Sequence, residues 1–141
     1  GVDELHKPND IGSLIPRADF VISTVPETPK TQGYFDYNFF DQMMEGAFFI
    51  NIGRGATVVL DDLNSALRSG HLAGAGLDVF EIEPLPEDHP LWKAPGILIT
   101  PHVAGEGPYL PERRTELFID NCKRFANGEK LINIVDKHNW F

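Results

Sequence analysis

Four short apolar runs punctuate the chain, at residues 20–25, 47–52, 75–80 and 97–100. Each is too short for a helix and shows little polar alternation, the pattern of strands buried on both faces in a parallel sheet. Residues 34–46, between the first two runs, read as a helix. Asp36 is placed as its N-cap, Phe39, Phe40 and Met43 fall at helical spacing, and Gly46 is placed to end it. Residues 61–69 repeat the pattern with Leu63, Ala66 and Leu67 on one face and Gly70 as the stop. Strand, helix, strand, helix, strand is a βαβαβ unit, so the expected fold class is α/β with a parallel sheet.

A turn of helix is expected at residues 11–15, ending near Pro16. Beyond the last run, Pro111 opens a long helix that places Arg114, Leu117, Phe118, Cys122, Phe125 and Ala126 on one face and closes at Asn127-Gly128. The tail carries Ile132, Ile134, Val135, Trp140 and Phe141 with no later element to pack on. Its partners are expected outside this chain. No internal repeat or low-complexity segment is present.

Composition narrows the function classes. With 42% apolar and 23% charged residues in 141, the chain is globular in composition and has enough apolar residues to bury a core. Twelve basic against twenty-one acidic side chains give a net charge of -9 without a Lys/Arg block, which argues against nucleic acid as a partner. The single cysteine, Cys122, excludes an internal disulfide, and its place in an amphipathic helix predicts a buried thiol in a reducing cytoplasm. No run approaches the ~18 apolar residues of a membrane span, and no basic segment leads into an apolar one at the start, so no membrane partner is expected. The chain begins at Gly1, and a fragment or processed form is expected.

Ligands of such sheets bind beyond the carboxyl ends of the strands, so the candidate chemistry should follow the four runs. Arg54 stands between Gly53 and Gly55 after the second run; its planar fork suits a carboxylate, and the glycines let a ligand approach. A surface arginine would read the same way in isolation. Glu83 and His102 follow the third and fourth runs. A carboxylate beside an imidazole holds one tautomer and favours its charged form, as proton transfer to a carbonyl oxygen requires. Alternatively, Glu83-Pro84 is a solvated turn and His102 a loop histidine bonded to backbone. Asp78 is a carboxylate at the end of an apolar run and needs a donor, either a ligand amide or a nearby protein group.

Other features carry less. His6, His71, His89 and His138 show no ligand spacing, and no metal site is expected. Gly74 and Gly76 imitate the opening of a dinucleotide fingerprint, yet they precede the third run, and Val79 stands where the third glycine would. Gly105-Glu106-Gly107 places an acid where a phosphate cradle would need none. No serine or cysteine nucleophile arrangement is evident.

Taken together and in this order, INIGRG, GAGLDVFEIEP and TPHVAG resemble the C-terminal signatures of the D-isomer-specific 2-hydroxyacid dehydrogenase family, over about residues 18–107. VPETPKT after the first run is similar to that family's loop beside the adenosine half of the cofactor. The resemblance implies the second half of a Rossmann-like NAD(P)-binding domain in residues 1–107, followed by a crossover helix and tail of the substrate domain in residues 108–141. It implies hydride transfer between NAD or NADP and a D-2-hydroxy acid/2-keto acid pair. Arg54 would bind the substrate carboxylate, His102 would act as acid/base and Glu83 would orient it. Asp78 would accept from the nicotinamide carboxamide, while Val25, Pro26, Thr31, Ile52, Gly53 and Arg54 line the cofactor cleft. Glu83 favours hydroxy acid chemistry over the family's formate dehydrogenases, which have an amide there. Glu106 departs from the small or hydroxyl residue of many relatives.

The family's GxGxxG turn is absent from this sequence, so the chain by itself is expected to be inactive. The parent is expected to be a cytoplasmic homodimer. The alternative within the same fold is a dinucleotide-sensing regulator like the C-terminal binding protein corepressors.

Overall fold

Four parallel strands form: three are rich in the aromatic and β-branched residues that suit a pleated, packed surface, and the third along the chain is Gly-Ala-Gly-Leu. These are β1 (Phe20–Ser23), β2 (Phe48–Asn51), β3 (Gly74–Leu77) and β4 (Ile97–Ile99), hydrogen-bonded in the order β1-β2-β3-β4. The helices are α1 (Ile11–Leu14), flanked by 3-10 turns, α2 (Tyr37–Gln42), α3 (Leu60–Arg68) and α4 (Leu110–Ala126). The computed structural model describes residues 1–138, and the chain divides into two units, Gly1–His102 and Val103–Phe141.

Register fixes which side chains share a face. Val21, Phe49, Ala75 and Ile97 pair across the strands, as do Ser23, Asn51, Leu77 and Ile99 two residues on. Helices α2 and α3 pack together and contribute Phe39, Phe40, Leu63 and Leu67 to the same core as Phe49, Ala75 and Leu77. The opposite face carries Phe20, Ile22 and Leu98 at 60%, 59% and 67% exposure, with the Phe20 and Phe48 rings stacked at 5.2 Å. The expectation of strands buried on both faces is therefore corrected. Both crossover helices of the βαβαβ unit cover one face, and the apolar residues of the other are displayed.

Helix α2 starts after the expected cap Asp36 but ends at Gln42, short of the expected stop at Gly46, because Met43 is extended at ψ 151°. Phe35 pairs in extended form with Val58, its N–H donating to the Thr57 carbonyl at 2.9 Å, so the helix begins only after Asp36. Asp36 caps it through the Phe39 N–H at 3.0 Å. Helix α3 starts one residue earlier than expected and ends before Gly70, whose φ of 79° suits glycine.

In the second unit, Asn121 of α4 ties down the tail: its Nδ2 donates to the Ile132 carbonyl at 3.0 Å and its Oδ1 accepts the Ile132 N–H at 2.9 Å. Cys122 is exposed, which corrects the expected buried thiol. Phe118 and Phe125 are exposed as well, so the helix buries none of its predicted apolar face. Ile134 and Val135 are exposed as expected, while Trp140 and Phe141 lie outside the described residues. No helix among the described residues is long and apolar enough to cross a membrane.

Candidate functional site

The parallel strands all end on one edge, and the loops leaving that edge carry the candidate residues. After β1, Thr31 closes the VPETPKT loop on itself: its Oγ1 donates to the Pro26 carbonyl at 2.7 Å and accepts the Thr28 N–H at 2.8 Å. Val25 is half-buried and Pro26 exposed.

The loop after β2 lies against that one. The Ile52 N–H donates to the Ser23 carbonyl at 3.1 Å, and Ile52 is 45% exposed. A Cβ on Gly53 would stand 2.7 Å from the Val25 carbonyl oxygen, so the two backbones touch and only glycine fits. Arg54 is exposed and extended at φ -137° and ψ 139°, and its Nη1 donates to the Gly53 carbonyl at 2.8 Å. Gly55 then lies on Phe80, where a Cβ would come within 1.9 Å of the Phe80 carbonyl group.

After β3, Asp78 is 3% exposed, and the Thr100 hydroxyl donates to its Oδ1. One of the donors this carboxylate requires is thus a side chain of the same protein. Two residues on, the Phe80 N–H donates to Glu83 Oε1 at 3.0 Å. The other oxygen of Glu83 meets Nδ1 of His102 at 2.7 Å. His102 follows β4 with φ 56°, a left-handed conformation that costs a non-glycine residue about 1–2 kcal/mol. Strain of this kind persists where the surroundings over-determine it, and here the Glu83 contact holds the imidazole.

Burial pushes the Glu83 carboxyl up, but the His102 hydrogen bond, the Phe80 N–H and the positive charges of His102 and Arg54 outweigh it. Its pKa therefore lies below the ordinary carboxylate value. Arg54, from a different loop, is close enough to act on the same carboxylate. Behind the pair is a cavity of about 200 Å³ with Phe80, Leu85, Trp92 and Ile99 in its wall. Its wall is mostly apolar, with Thr100 and the Glu83–His102 pair at its edge.

The structure thus joins Glu83 to His102, sets the charge of Arg54 to lower the Glu83 carboxyl's pKa and sets Asp78 on Thr100. Val25, Ile52 and Gly53 meet where the first two loops touch; Thr31 spends its hydroxyl inside its own loop. Sequence reasoning missed Asn51, Thr57 and Thr100, which bond to the Arg54 backbone and to Asp78. The available signal was a polar residue inside or beside an apolar run, the reasoning already applied to Asp78. Among the described residues no group of three or more His, Cys, Asp or Glu side chains gathers.

Comparison with known proteins places the chain in a family. The chain is 38% identical over 135 residues to glyoxylate/hydroxypyruvate reductase A of Photorhabdus laumondii, covering 96% of this chain and 42% of that protein. A D-isomer specific 2-hydroxyacid dehydrogenase of Xanthobacter autotrophicus, solved with NADPH and MES, superposes with a TM-score of 0.89 at 36% identity, over 97% of this chain and 56% of that one. An NADPH-dependent glyoxylate/hydroxypyruvate reductase of Sinorhizobium meliloti, solved with NADP and sulfate, gives 0.89 at 33% identity, over 96% and 44%. The chain spans less than half the length of the reductases it matches. The family described as D-isomer specific 2-hydroxyacid dehydrogenase, NAD binding domain, matches residues 2–104, well over half of the sequence, and the chain belongs to that family.

Proposed function

We propose that the enzyme carrying this sequence reduces 2-keto acids to D-2-hydroxy acids with NADPH or NADH, and that glyoxylate and hydroxypyruvate are its substrates. The observation that carries the reading is the Glu83–His102 contact of 2.7 Å within electrostatic range of Arg54. The substrate class follows from the reductases that this chain resembles.

The residues described fit the nicotinamide half of the cofactor. Val25 and the exposed Ile52 supply apolar side chains from two loops whose backbones touch, suited to a planar ring, with the buried Asp78 carboxylate on the neighbouring strand end. They do not fit the pyrophosphate, because Gly74 and Gly76 lie within β3 instead of opening a helix after a strand. We therefore expect no turnover by the 141-residue chain alone.

When bound, the reduced nicotinamide supplies hydride to the carbonyl carbon. Arg54 holds the substrate carboxylate through its planar fork and draws electron density from the adjacent carbonyl. Because Glu83 occupies Nδ1, His102 presents Nε2 to the substrate and gives the carbonyl oxygen its proton. Glu83 fixes the ring's orientation. By family resemblance the enzyme works as a cytoplasmic homodimer, which light scattering tests.

The decisive experiment is glyoxylate and hydroxypyruvate reduction with each cofactor, followed by loss of reduced-nicotinamide absorbance, with Arg54→Ala in parallel. Turnover that collapses in the variant supports the proposal. No reduction of either acid with either cofactor overturns it.

A further inference from the structure

The carbonyl oxygen of Arg54 receives three donors: Asn51 Nδ2 at 3.1 Å, Thr57 Oγ1 at 2.6 Å and the Thr57 N–H at 3.2 Å. A carbonyl has two lone pairs, so this oxygen is fully used. Both side chains are 0% exposed, and a buried polar group is tolerated only when bonded. Among the described residues, the hydrogen bonds of both side chains end on Gly53 and Arg54, at the tip of the loop. The Oδ1 of Asn51 accepts the Gly53 N–H at 3.0 Å, so one amide grips the backbone on both sides of the Gly53–Arg54 peptide. The Gly53 carbonyl in turn takes the Arg54 guanidinium at 2.8 Å.

Closing the 3-10 turn does not require these side chains. Its own backbone bonds, Thr57 N–H to Arg54 and Val58 N–H to the Gly55 carbonyl at 3.0 Å, already do so. The side-chain bonds are additional and converge on the residue whose side chain is exposed. We infer that Asn51 and Thr57 are positioning residues, which hold the Arg54 backbone so that its guanidinium meets the substrate carboxylate from a fixed origin. This rests on the role given to Arg54 above.

The test is a double-mutant cycle in the enzyme carrying this sequence, read as kcat and KM for glyoxylate and as inhibition by oxamate, a carboxylate analogue. Thr57→Val keeps the shape and removes the hydroxyl. It should raise KM and the oxamate inhibition constant, lowering kcat/KM by about ten- to a hundredfold, the scale of a small misplacement of a binding group. Thr57→Ser should restore most of the loss. On an Arg54→Ala background, Thr57→Val should cost nothing further, because both act through one group.

Losses that multiply in the double variant overturn the inference. So does a Thr57→Val enzyme within about twofold of wild type while Arg54→Ala collapses. If Arg54→Ala itself retains wild-type kcat/KM, the role of Arg54 falls and this inference falls with it. Should Thr57→Val fail to fold, Asn51→Asp, which sets an acceptor against the Arg54 carbonyl, carries the same cycle.

Discussion

Glu83 Oε2 lies 2.7 Å from His102 Nδ1, while the other oxygen of the same carboxylate holds the Phe80 N–H at 3.0 Å. Both oxygens are therefore committed to donors. In Glu83→Gln only one oxygen remains, and it can serve the imidazole or the backbone but not both. We expect kcat for keto acid reduction to fall by about 10²–10⁴, the range for disabling a general acid's orienting partner, with folding retained. Steady-state kinetics checks this; an unchanged kcat would remove the pair from the mechanism.

The same carboxyl sets a pH dependence. Its folded-state pKa is lowered, so the stability it contributes is complete above its unfolded-state value and is lost as pH falls through the folded-state value. Urea unfolding of wild type and Glu83→Gln should show a constant difference near neutrality that shrinks in acid, below the usual carboxylate range. The group is 37% exposed, so salt should reduce the difference. A gap that widens on acidification contradicts the assignment.

Gly55→Ala drives a methyl to within 1.9 Å of the Phe80 carbonyl, which is backbone and cannot rotate away. We expect a loss of about 1–3 kcal/mol or more, as for an overpacked core, seen as a lower Tm in calorimetry. The displaced Phe80 N–H also loosens Glu83, so activity should fall further than stability explains. A Tm equal to wild type refutes the close approach.

Thr100→Val removes a hydroxyl donor from Asp78, a carboxylate only 3% exposed. The expected cost is about 1–3 kcal/mol in denaturant unfolding, with Thr100→Ser close to wild type. Equal stability of the valine and serine variants would show that the bond contributes nothing.

Ser23 makes the opposite case. Its hydroxyl is buried at 2% exposure with no hydrogen-bond partner among the described residues. Ser23→Ala should leave stability within about 0.5 kcal/mol of wild type or raise it, because no bond is lost. Thermal unfolding that drops by several degrees would mean the hydroxyl has a role in the fold.

How much was legible in the sequence follows from what each signal encodes. Runs such as FFIN announce strands because every residue is confined to a sheet, and Asp36 and Gly70 mark helix ends because their local chemistry suits those places. The order of Arg54, Glu83 and His102 along three loops was enough to nominate them. Two things were hidden. Apolar residues on β1 and β4 cannot say which neighbour covers them, so Phe20 and Leu98 read as buried when this chain leaves them displayed. Nor does the sequence distinguish a polar residue that braces a loop from one that simply ends a strand, so Asn51 and Thr57 passed unnoticed. Their role is visible only once the Arg54 carbonyl has a position.

The loops bearing Arg54, Glu83 and His102 follow three consecutive strands, each hydrogen-bonded to the one before. That arrangement has a consequence for inheritance. Under the roles proposed above, the three groups would travel as one cassette spaced by a single sheet, so other segments could be exchanged or reshaped without moving these groups relative to one another.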